Sequence, residues 1–554
     1  MRSRFRLVTS AVGIAAALTV LATPLGSAGT GAATMKTYNV ALAGSFTEDG
    51  FSLTGSKAAA LDLVALAGGT VTSDLSAQIG VLIVRSPNDL FDETLRSSGL
   101  VADAAEDLSW KGVPTVADVS ALAVDQPVPP GVPVECKGAP GDPGLPALDN
   151  ECEVSGSAAD PLSGLQWDMQ QICVLPSAEY PNCGTGAHSV EDGRREVDVG
   201  ILDTGIDGQH NDFKNATLTA SNVDCARGRD SIGTVEQLIE PDPLVGIGTP
   251  DPCVDNGFHG THVAGTVAAQ ANNGRGIVGV APDVTLVPVK VCDSTGYCYA
   301  SAVTDGITYA GDQKLDVINM SFFVDDNSFQ QSHEFKCMDD PVQRTFRRMV
   351  ERAIQYARNQ GVTPVAALGN SDQDLAHPPE PYENNCDVVP AETQGVIGTM
   401  ALGRFSEKAR YSNYGFGMTD VAAPGGNGNT VTGFCSRTVL STFPAQTYAC
   451  IQGTSMASPH TAGVAALIVS RFGLDTVDTN DPSLTTDDTA PPIDVSMPPQ
   501  KVEAYLQSTV TDIGLPGYDE CFGNGRINAL KAVRHDTARE YDPRPTATCP
   551  EYAE

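Results

Sequence analysis

The chain has 554 residues, which exceeds an ordinary single domain and predicts two or three folded units. Its 68 acidic against 34 basic side chains give a net charge of −34. This charge argues against nucleic acid and anionic membranes as partners, because both require clustered Lys and Arg. With 41% hydrophobic residues, 55 Gly and 37 Pro, the composition predicts a globular, loop-rich, acidic protein.

The N-terminus has the layout of a secretory signal peptide, which we place at residues 1–33. Arg2, Arg4 and Arg6 precede an interrupted apolar stretch, and small residues follow it. The stretch is too short and too interrupted for a membrane anchor, and no second segment is long enough to span. We therefore expect a secreted, extracellular protein without a membrane partner after signal removal.

The chain contains 14 cysteines, an even number that predicts disulfide bonds in an exported protein. Zinc sites built on cysteines use closely spaced Cys pairs, and no such spacing occurs. We propose three pairings, of which the first closes a short intervening loop: Cys292 with Cys298, Cys435 with Cys450, and Cys521 with Cys549.

Residues 34–124 predict a small α/β unit. Strand patterns alternate there with helical patterns, and Asn88 is the predicted N-cap of the second helix. The predicted elements are a strand over 38–42, a helix over 56–66, a strand over 80–84 and a helix over 88–95. Residues 125–160 are rich in Pro and Gly and predict an exposed linker in which processing could occur.

Residues 161–554 alternate between strand and helix patterns. This alternation predicts a mostly parallel sheet with helices on both faces and a ligand site beyond the carboxyl ends of the strands. Predicted strands cover 197–202, 286–291, 316–320 and 363–367, and predicted helices cover 260–269, 344–358, 456–472 and 501–509.

Three segments carry residues suited to catalysis. An apolar strand ends in Asp203, where a carboxylate could act in chemistry or simply cap a turn. His259 opens a helix of small residues and can project into a cleft, whereas His262 is expected to face the core. The H-x-x-H pair could also bind metal, but the zincin pattern needs a Glu directly after the first His, and Gly260 stands there.

The third segment, 453–460, leads from a loop into a long apolar helix with Ser455 at its start. Such a serine can be a plain N-cap. As a nucleophile it would have a backbone N–H and the positive end of the helix dipole beside it. Pro459 is expected within the first turn, where proline is tolerated.

Together these segments resemble the signatures of the subtilisin-like (S8) serine peptidases, whose chain order is Asp, His, Ser. The resemblance covers about 161–533 and implies a three-layer fold and a secreted endopeptidase that forms an acyl-enzyme on Ser455. It assigns His259 as general base and Asp203 as the residue that orients it. Polypeptides are the implied substrates, and a monomer is expected.

A fourth segment, 366–371, resembles the family segment that carries the oxyanion-hole asparagine, which maps to Asn370. An amide donates a hydrogen bond without carrying charge, which suits it to hold a developing oxyanion together with the Ser455 backbone N–H. The strand ending at Ser321 resembles the substrate-lining edge, where the family often continues Leu-Gly-Gly. Here Phe322 and Phe323 follow, so we expect altered or narrowed subsites before the scissile bond.

Three expectations accompany this resemblance. Residues 34–124 resemble, more weakly, the family's inhibitory propeptide, which implies an intramolecular inhibitor that the enzyme itself removes. The segment 272–274 and the acidic loops leave room for structural calcium, although no ligand can be assigned and no cofactor is expected for the chemistry.

The alternative function is a catalytically silent relative that acts as a binding protein. An esterase is disfavoured because Ser455 comes last in the chain.

Overall fold

A computed structural model describes residues 34–47, 50–114, 160–233, 251–323, 340–377, 387–428, 436–476 and 494–543. The predicted signal peptide and nearly all of the predicted linker lie outside the described residues. Within the described residues, no helix combines the length and the apolar character needed to cross a bilayer.

The N-terminal unit is a four-stranded antiparallel sheet in the order β4-β5-β1-β6, with two helices packed on it. Its elements are β1 (Lys36–Leu42), β2 (Gly44–Thr47), β3 (Gly50–Leu53), α1 (Lys57–Leu66), β4 (Thr70–Leu75), β5 (Val81–Ser86), α2 (Phe91–Arg96), β6 (Val101–Glu106) and β7 (Ser109–Lys111).

The start of α2 differs from the prediction. The helix begins at Phe91 with Leu90 as its N-cap, so the expected capping role of Asn88 is wrong. The Asn88 side chain instead accepts a hydrogen bond from the Leu90 backbone N–H at 3.1 Å. In this turn Asn88 lies two residues before the N-cap, where an Asn side chain can bond the backbone in place of a helical bond.

The second unit is built on a seven-stranded, fully parallel sheet in the order β15-β14-β13-β12-β8-β10-β9. Its strands and the smaller pairs around it are β8 (Asp198–Asp203), β9 (Arg229–Asp230), β10 (Thr285–Lys290), β11 (Tyr297–Tyr299), β12 (Val317–Met320), β13 (Thr363–Ala367), β14 (Ile397–Leu402), β15 (Val421–Pro424), β16 (Val439–Phe443), β17 (Thr447–Ile451), β18 (Leu474–Thr476), β19 (Asp494–Ser496), β20 (Asp512–Ile513) and β21 (Tyr541–Asp542).

Helices cover both faces of this sheet. They are α3 (Trp167–Gln171), α4 (His259–Ala268), α5 (Ala300–Asp312), α6 (Pro341–Asn359), α7 (Thr454–Phe472), α8 (Pro499–Ser508) and α9 (Ala529–Arg534). In β8, Val199 and Ile201 belong to the core shared with α4 and α7, while Leu202 belongs to the core shared with α5 and α6. This two-sided burial explains the continuous apolar strands of the sequence and confirms the predicted three-layer α/β fold.

Three disulfides join pairs of described cysteines in the second unit. Cys292–Cys298 was predicted from its short loop and is confirmed, whereas Cys173–Cys183 and Cys225–Cys253 were missed. Cys450 and Cys521 are also disulfide-bonded. Their predicted partners, Cys435 and Cys549, lie outside the described residues, so those two pairings stay predictions.

Candidate active site

The candidate catalytic residues gather at one edge of the parallel sheet. Asp203 is the last residue of β8, Ser321 directly follows β12, and Asn370 follows β13 by three residues. Because β8, β12 and β13 are parallel neighbours, their carboxyl ends meet at the same edge. This is where open α/β sheets place their ligands.

Asp203 and His259 form a buried pair. His259 Nδ1 lies 2.9 Å from Asp203 Oδ1 and 3.0 Å from Oδ2, and both side chains are fully buried. Since a carboxylate can only accept, Nδ1 carries the hydrogen, which leaves Nε2 as the basic nitrogen. Nε2 has no hydrogen-bond partner among the described residues. Asp203 therefore orients the His259 ring so that Nε2 is available to accept a proton.

The loop that leads into α4 is organised by Asp255, a residue that the sequence reading missed. Asp255 Oδ1 accepts hydrogen bonds from the backbone of Gly257 and Phe258 at 2.9 and 2.8 Å. Its Oδ2 accepts from the N–H and the hydroxyl of Thr261. These bonds hold Phe258 at φ +75°, a costly left-handed conformation for a non-glycine residue, directly before His259.

Asp255 also joins this loop to the strand that carries the catalytic carboxylate. Its Oδ1 accepts the Thr204 hydroxyl at 2.8 Å, and Thr204 follows Asp203. A Cβ added at Gly260 would lie 2.1 Å from the Gly205 carbonyl oxygen, so only glycine allows α4 to approach this turn. The local signal for this arrangement was an Asp four residues before His259.

Ser455 is the second residue of α7 and is 4% exposed. The helix begins at Thr454, so Pro459 lies in its second turn and the expected first-turn position is wrong. A proline there removes the N–H that would bond the carbonyl four residues earlier, which belongs to Ser455. The Ser321 hydroxyl donates to that carbonyl at 2.8 Å and replaces the missing bond.

Replacing Ser321 with alanine should leave the Ser455 carbonyl buried without a donor. We expect Ser321→Ala to lower the free energy of unfolding by about 1–3 kcal/mol. Urea titration in a Ser455→Ala background, which prevents self-digestion, measures this change. The exposed Ser508→Ala is the matched control and should stay within about 0.5 kcal/mol of its parent. An equally small effect at Ser321 would contradict the replacement role.

Asn370 is anchored by its carbonyl oxygen. Oδ1 accepts the Thr454 N–H and the Thr454 hydroxyl, both at 2.9 Å. A Cβ built on Gly453 would lie 3.6 Å from the Ser455 backbone nitrogen and 3.7 Å from Asn370 Nδ2. The Ser455 backbone nitrogen and the Asn370 amide nitrogen therefore both lie close to Gly453.

Hydrogen bonds join Asp203 to His259, and Asn370 to the residue directly before Ser455. Helices α4 and α7 pack against each other, and they begin at His259 and Thr454, respectively. No hydrogen bond joins His259 Nε2 to a described residue, Ser455 included. Such bonds are often long in free enzymes and tighten when substrate binds.

The N-terminal unit covers the neighbouring edge of the second unit. Its strand β7 pairs antiparallel with β11, with Trp110 opposite Cys298. Trp110 is 3% exposed, and its ring centroid lies 5.0 Å from that of Phe346 and 6.4 Å from that of Phe322. Phe322 is fully buried beneath it, whereas Phe323 is partly buried. The tryptophan thus packs against Phe322, one of the predicted substrate-contacting residues.

Two arginines of α6 hold the N-terminal unit in place. Arg344 Nε donates to Asp103 at 2.7 Å. Arg352 donates to the carbonyls of Leu42, Ile79 and Gly80 at 3.1–3.3 Å. Burial lowers the pKa of Arg352 to about 10, which reflects how far the contact excludes water.

The loop that was expected to leave room for calcium lies beside two buried carboxylates. Asp160 accepts the N–H groups of Asn272 and Asn273, and Asp212 accepts the Asn273 side-chain amide and the Ile277 N–H. Burial raises the pKa of Asp160 to about 6 and that of Asp212 to about 7, and the Asp160 charge adds to the second shift. Paired oxygen donors of this kind fit the chemistry of a hard cation.

Comparison with known proteins identifies the class. The family model described as the subtilase family (peptidase S8) matches residues 194–525. Subtilisin DY from Bacillus licheniformis is 32% identical over 338 residues, which cover 61% of this chain and 91% of the relative. The chain belongs to the subtilase family. Its relatives place it among the serine peptidases.

One further relative and one solved structure are also similar to this chain. The thermophilic serine proteinase of Bacillus sp. (strain AK1) is 32% identical over 285 residues, or 51% of this chain, and the match spans about half (55%) of that relative. The crystal structure of the epidermin leader peptide processing serine protease from Staphylococcus aureus superposes with a TM-score of 0.59 at 18% identity. It covers 90% of this chain and 98% of that one, and it shows the fold alone.

Proposed function

We propose that the protein is a secreted serine endopeptidase whose triad is Asp203, His259 and Ser455. The observation that carries the proposal is the buried Asp203–His259 pair, with its free Nε2, on a helix packed against the helix that bears Ser455. A silent binding protein has no need of an oriented, desolvated base beside a serine.

The chemistry follows from these positions. His259 Nε2 takes the Ser455 hydroxyl proton as the oxygen attacks the peptide carbonyl, and it later gives that proton to the leaving amine. Asp203 keeps the hydrogen on Nδ1 and stabilises the imidazolium. The Ser455 N–H and Asn370 Nδ2 receive the oxyanion. Water then hydrolyses the acyl-enzyme.

Cleavage of a denatured protein by the purified chain tests this function. The wild type, freed of its N-terminal unit, should produce fragments that mass spectrometry identifies, and the Ser455→Ala variant should produce none. The wild type should also lose residues 34–124 while the variant keeps them. Absence of cleavage by the freed wild type would favour the binding-protein alternative.

The N-terminal unit would act as the intramolecular inhibitor of this enzyme. Its strand β7 adds to the edge strand β11 as an extended peptide would, and Trp110 occupies the space against Phe322 and Phe346. A polypeptide substrate would use the same edge after the unit has left. Ser321, Phe322 and Phe323 remain the proposed substrate-contacting residues.

Truncating Trp110 should weaken this inhibition. We expect the Trp110→Ala form of segment 34–124 to inhibit the processed enzyme with an inhibition constant raised about 30-fold or more, as for a buried aromatic anchor worth about 2 kcal/mol. Leu66→Ala, which removes an 87% exposed side chain from α1, is the control. Equal inhibition by both variants would show that the Trp110 contact does not hold the unit in place.

We also propose a structural calcium ion near segment 272–274, on the basis of the buried carboxylates that lie beside this loop. Asp160 and Asp212 are the residues that would hold the ion, and its role would be stability, not chemistry. A chelator should lower the thermal unfolding midpoint of the Ser455→Ala protein, and added Ca²⁺ should restore it. A midpoint that does not respond would contradict the proposal.

A further inference from the structure

Three side chains with metal-binding atoms meet at the surface beyond the segment that carries Asn370. Asp374 and His377 belong to the continuation of that segment, and Glu520 belongs to the hairpin-like loop 515–523. One ligand atom from each lies within 4.8 Å of the others. Backbone bonds bring the two segments together, since Leu375 donates to the Tyr414 carbonyl and Gly415 donates to the Glu520 carbonyl.

The spacing of these atoms is close to that of a metal coordination shell. His377 Nδ1 lies 3.1 Å from Asp374 Oδ2 and 3.5 Å from Glu520 Oε1. Ligands bonded to zinc at about 2.0–2.1 Å in a tetrahedron are about 3.3 Å apart. The backbone N–H groups of Ala376 and His377 donate to Asp374 Oδ1, which leaves Oδ2 directed at the imidazole.

The electrostatics also favour a cation. Glu520 Oε1 is shielded from solvent and has no hydrogen-bond donor among the described residues, because His377 Nδ1 is too distant for a well-formed bond. Two facing carboxylates bring two negative charges to the imidazole, and one divalent ion would balance them.

From this geometry we infer that Asp374, His377 and Glu520 bind one divalent cation of the zinc class. An imidazole ligand suits zinc, whereas calcium takes oxygen ligands, so this site differs from the one proposed at Asp160 and Asp212. His377 is about half exposed, and water can complete the coordination shell. The ion would tie the segment that follows Asn370 to loop 515–523 and stabilise that part of the fold.

Calorimetric titration of the full-length Ser455→Ala protein with Zn²⁺ tests the site. The protein is first stripped with a chelator and then kept in excess Ca²⁺, so that oxygen-only sites are filled. We expect one equivalent of zinc to bind and the thermal unfolding midpoint to rise. His377→Ala and Glu520→Gln should each weaken the affinity at least 10-fold, as expected when one of three protein ligands is lost.

Two controls separate this site from others. Asp372→Asn removes a neighbouring carboxylate that is paired with Lys408, and His535→Ala removes a histidine stacked on Tyr505, so both should bind zinc like the parent. Unfolding midpoints that match the parent's in the absence of metal would show that the variants fold. If one variant does not fold, the milder Asp374→Asn replaces it in the titration. No binding, or binding that His377→Ala and Glu520→Gln leave intact, would overturn the inference.

Discussion

Replacing Asp203 with asparagine should lower kcat by about 10⁴ while the protein stays folded. The amide fits the same buried space, so the backbone bond from Thr204, 2.8 Å from Oδ1, can persist. An amide that turns its Nδ2 to His259 Nδ1 forces the hydrogen onto Nε2 of the ring. The base then faces away from Ser455, and the imidazolium loses its counter-charge.

The measurement is steady-state hydrolysis of a chromogenic peptide by Asp203→Asn protein whose N-terminal unit has been removed by a second protease. Asp207→Asn is the matched control, because Asp207 lies in the same turn and, among the described residues, accepts the backbone N–H groups of Gln209 and Ala445. We expect its kcat to remain within about threefold of the wild type. A loss below 10-fold for Asp203→Asn would mean that His259 does not depend on this carboxylate.

The sequence predicted the elements whose signals are local. The apolar run of β8, the small-residue helix that starts at His259 and the long apolar α7 all appear within one or two residues of their predicted bounds. Burial on both sides of a parallel strand makes such runs apolar throughout, so the fold class and the sheet edge could be predicted. Asp203, His259, Ser455 and Asn370 were placed by their motifs.

The missed features depend on contacts between distant segments. The bond from Ser321 to the Ser455 carbonyl spans 134 residues, and the cluster of Asp374 and His377 with Glu520 joins loops about as far apart. In the sequence, Asp255 could not be distinguished from other loop carboxylates. Its role is to accept hydrogen bonds from backbone N–H groups, and these groups converge on it in the folded loop. Contacts between distant segments produce no periodic pattern in the sequence.

Replacing Asn370 with alanine should lower kcat by about 10²–10³, or about 3–4 kcal/mol, with little change in KM. Asn370 Nδ2 is free to donate because Thr454 engages only the amide oxygen. The developing oxyanion needs this donor more than the ground-state carbonyl does, so the loss falls on the chemical step. The Ser455 N–H remains and supports the residual rate.

Thr454→Val separates donation by Asn370 from its placement. The variant removes the hydroxyl that bonds Asn370 Oδ1 but keeps the Thr454 backbone N–H on the same oxygen. We therefore expect a kcat loss of about 10-fold or less, because the amide keeps one of its two anchors. A Thr454→Val loss as large as that of Asn370→Ala would mean that the hydroxyl fixes the amide. An unchanged kcat in Asn370→Ala would mean that the oxyanion is held by the Ser455 N–H without the amide.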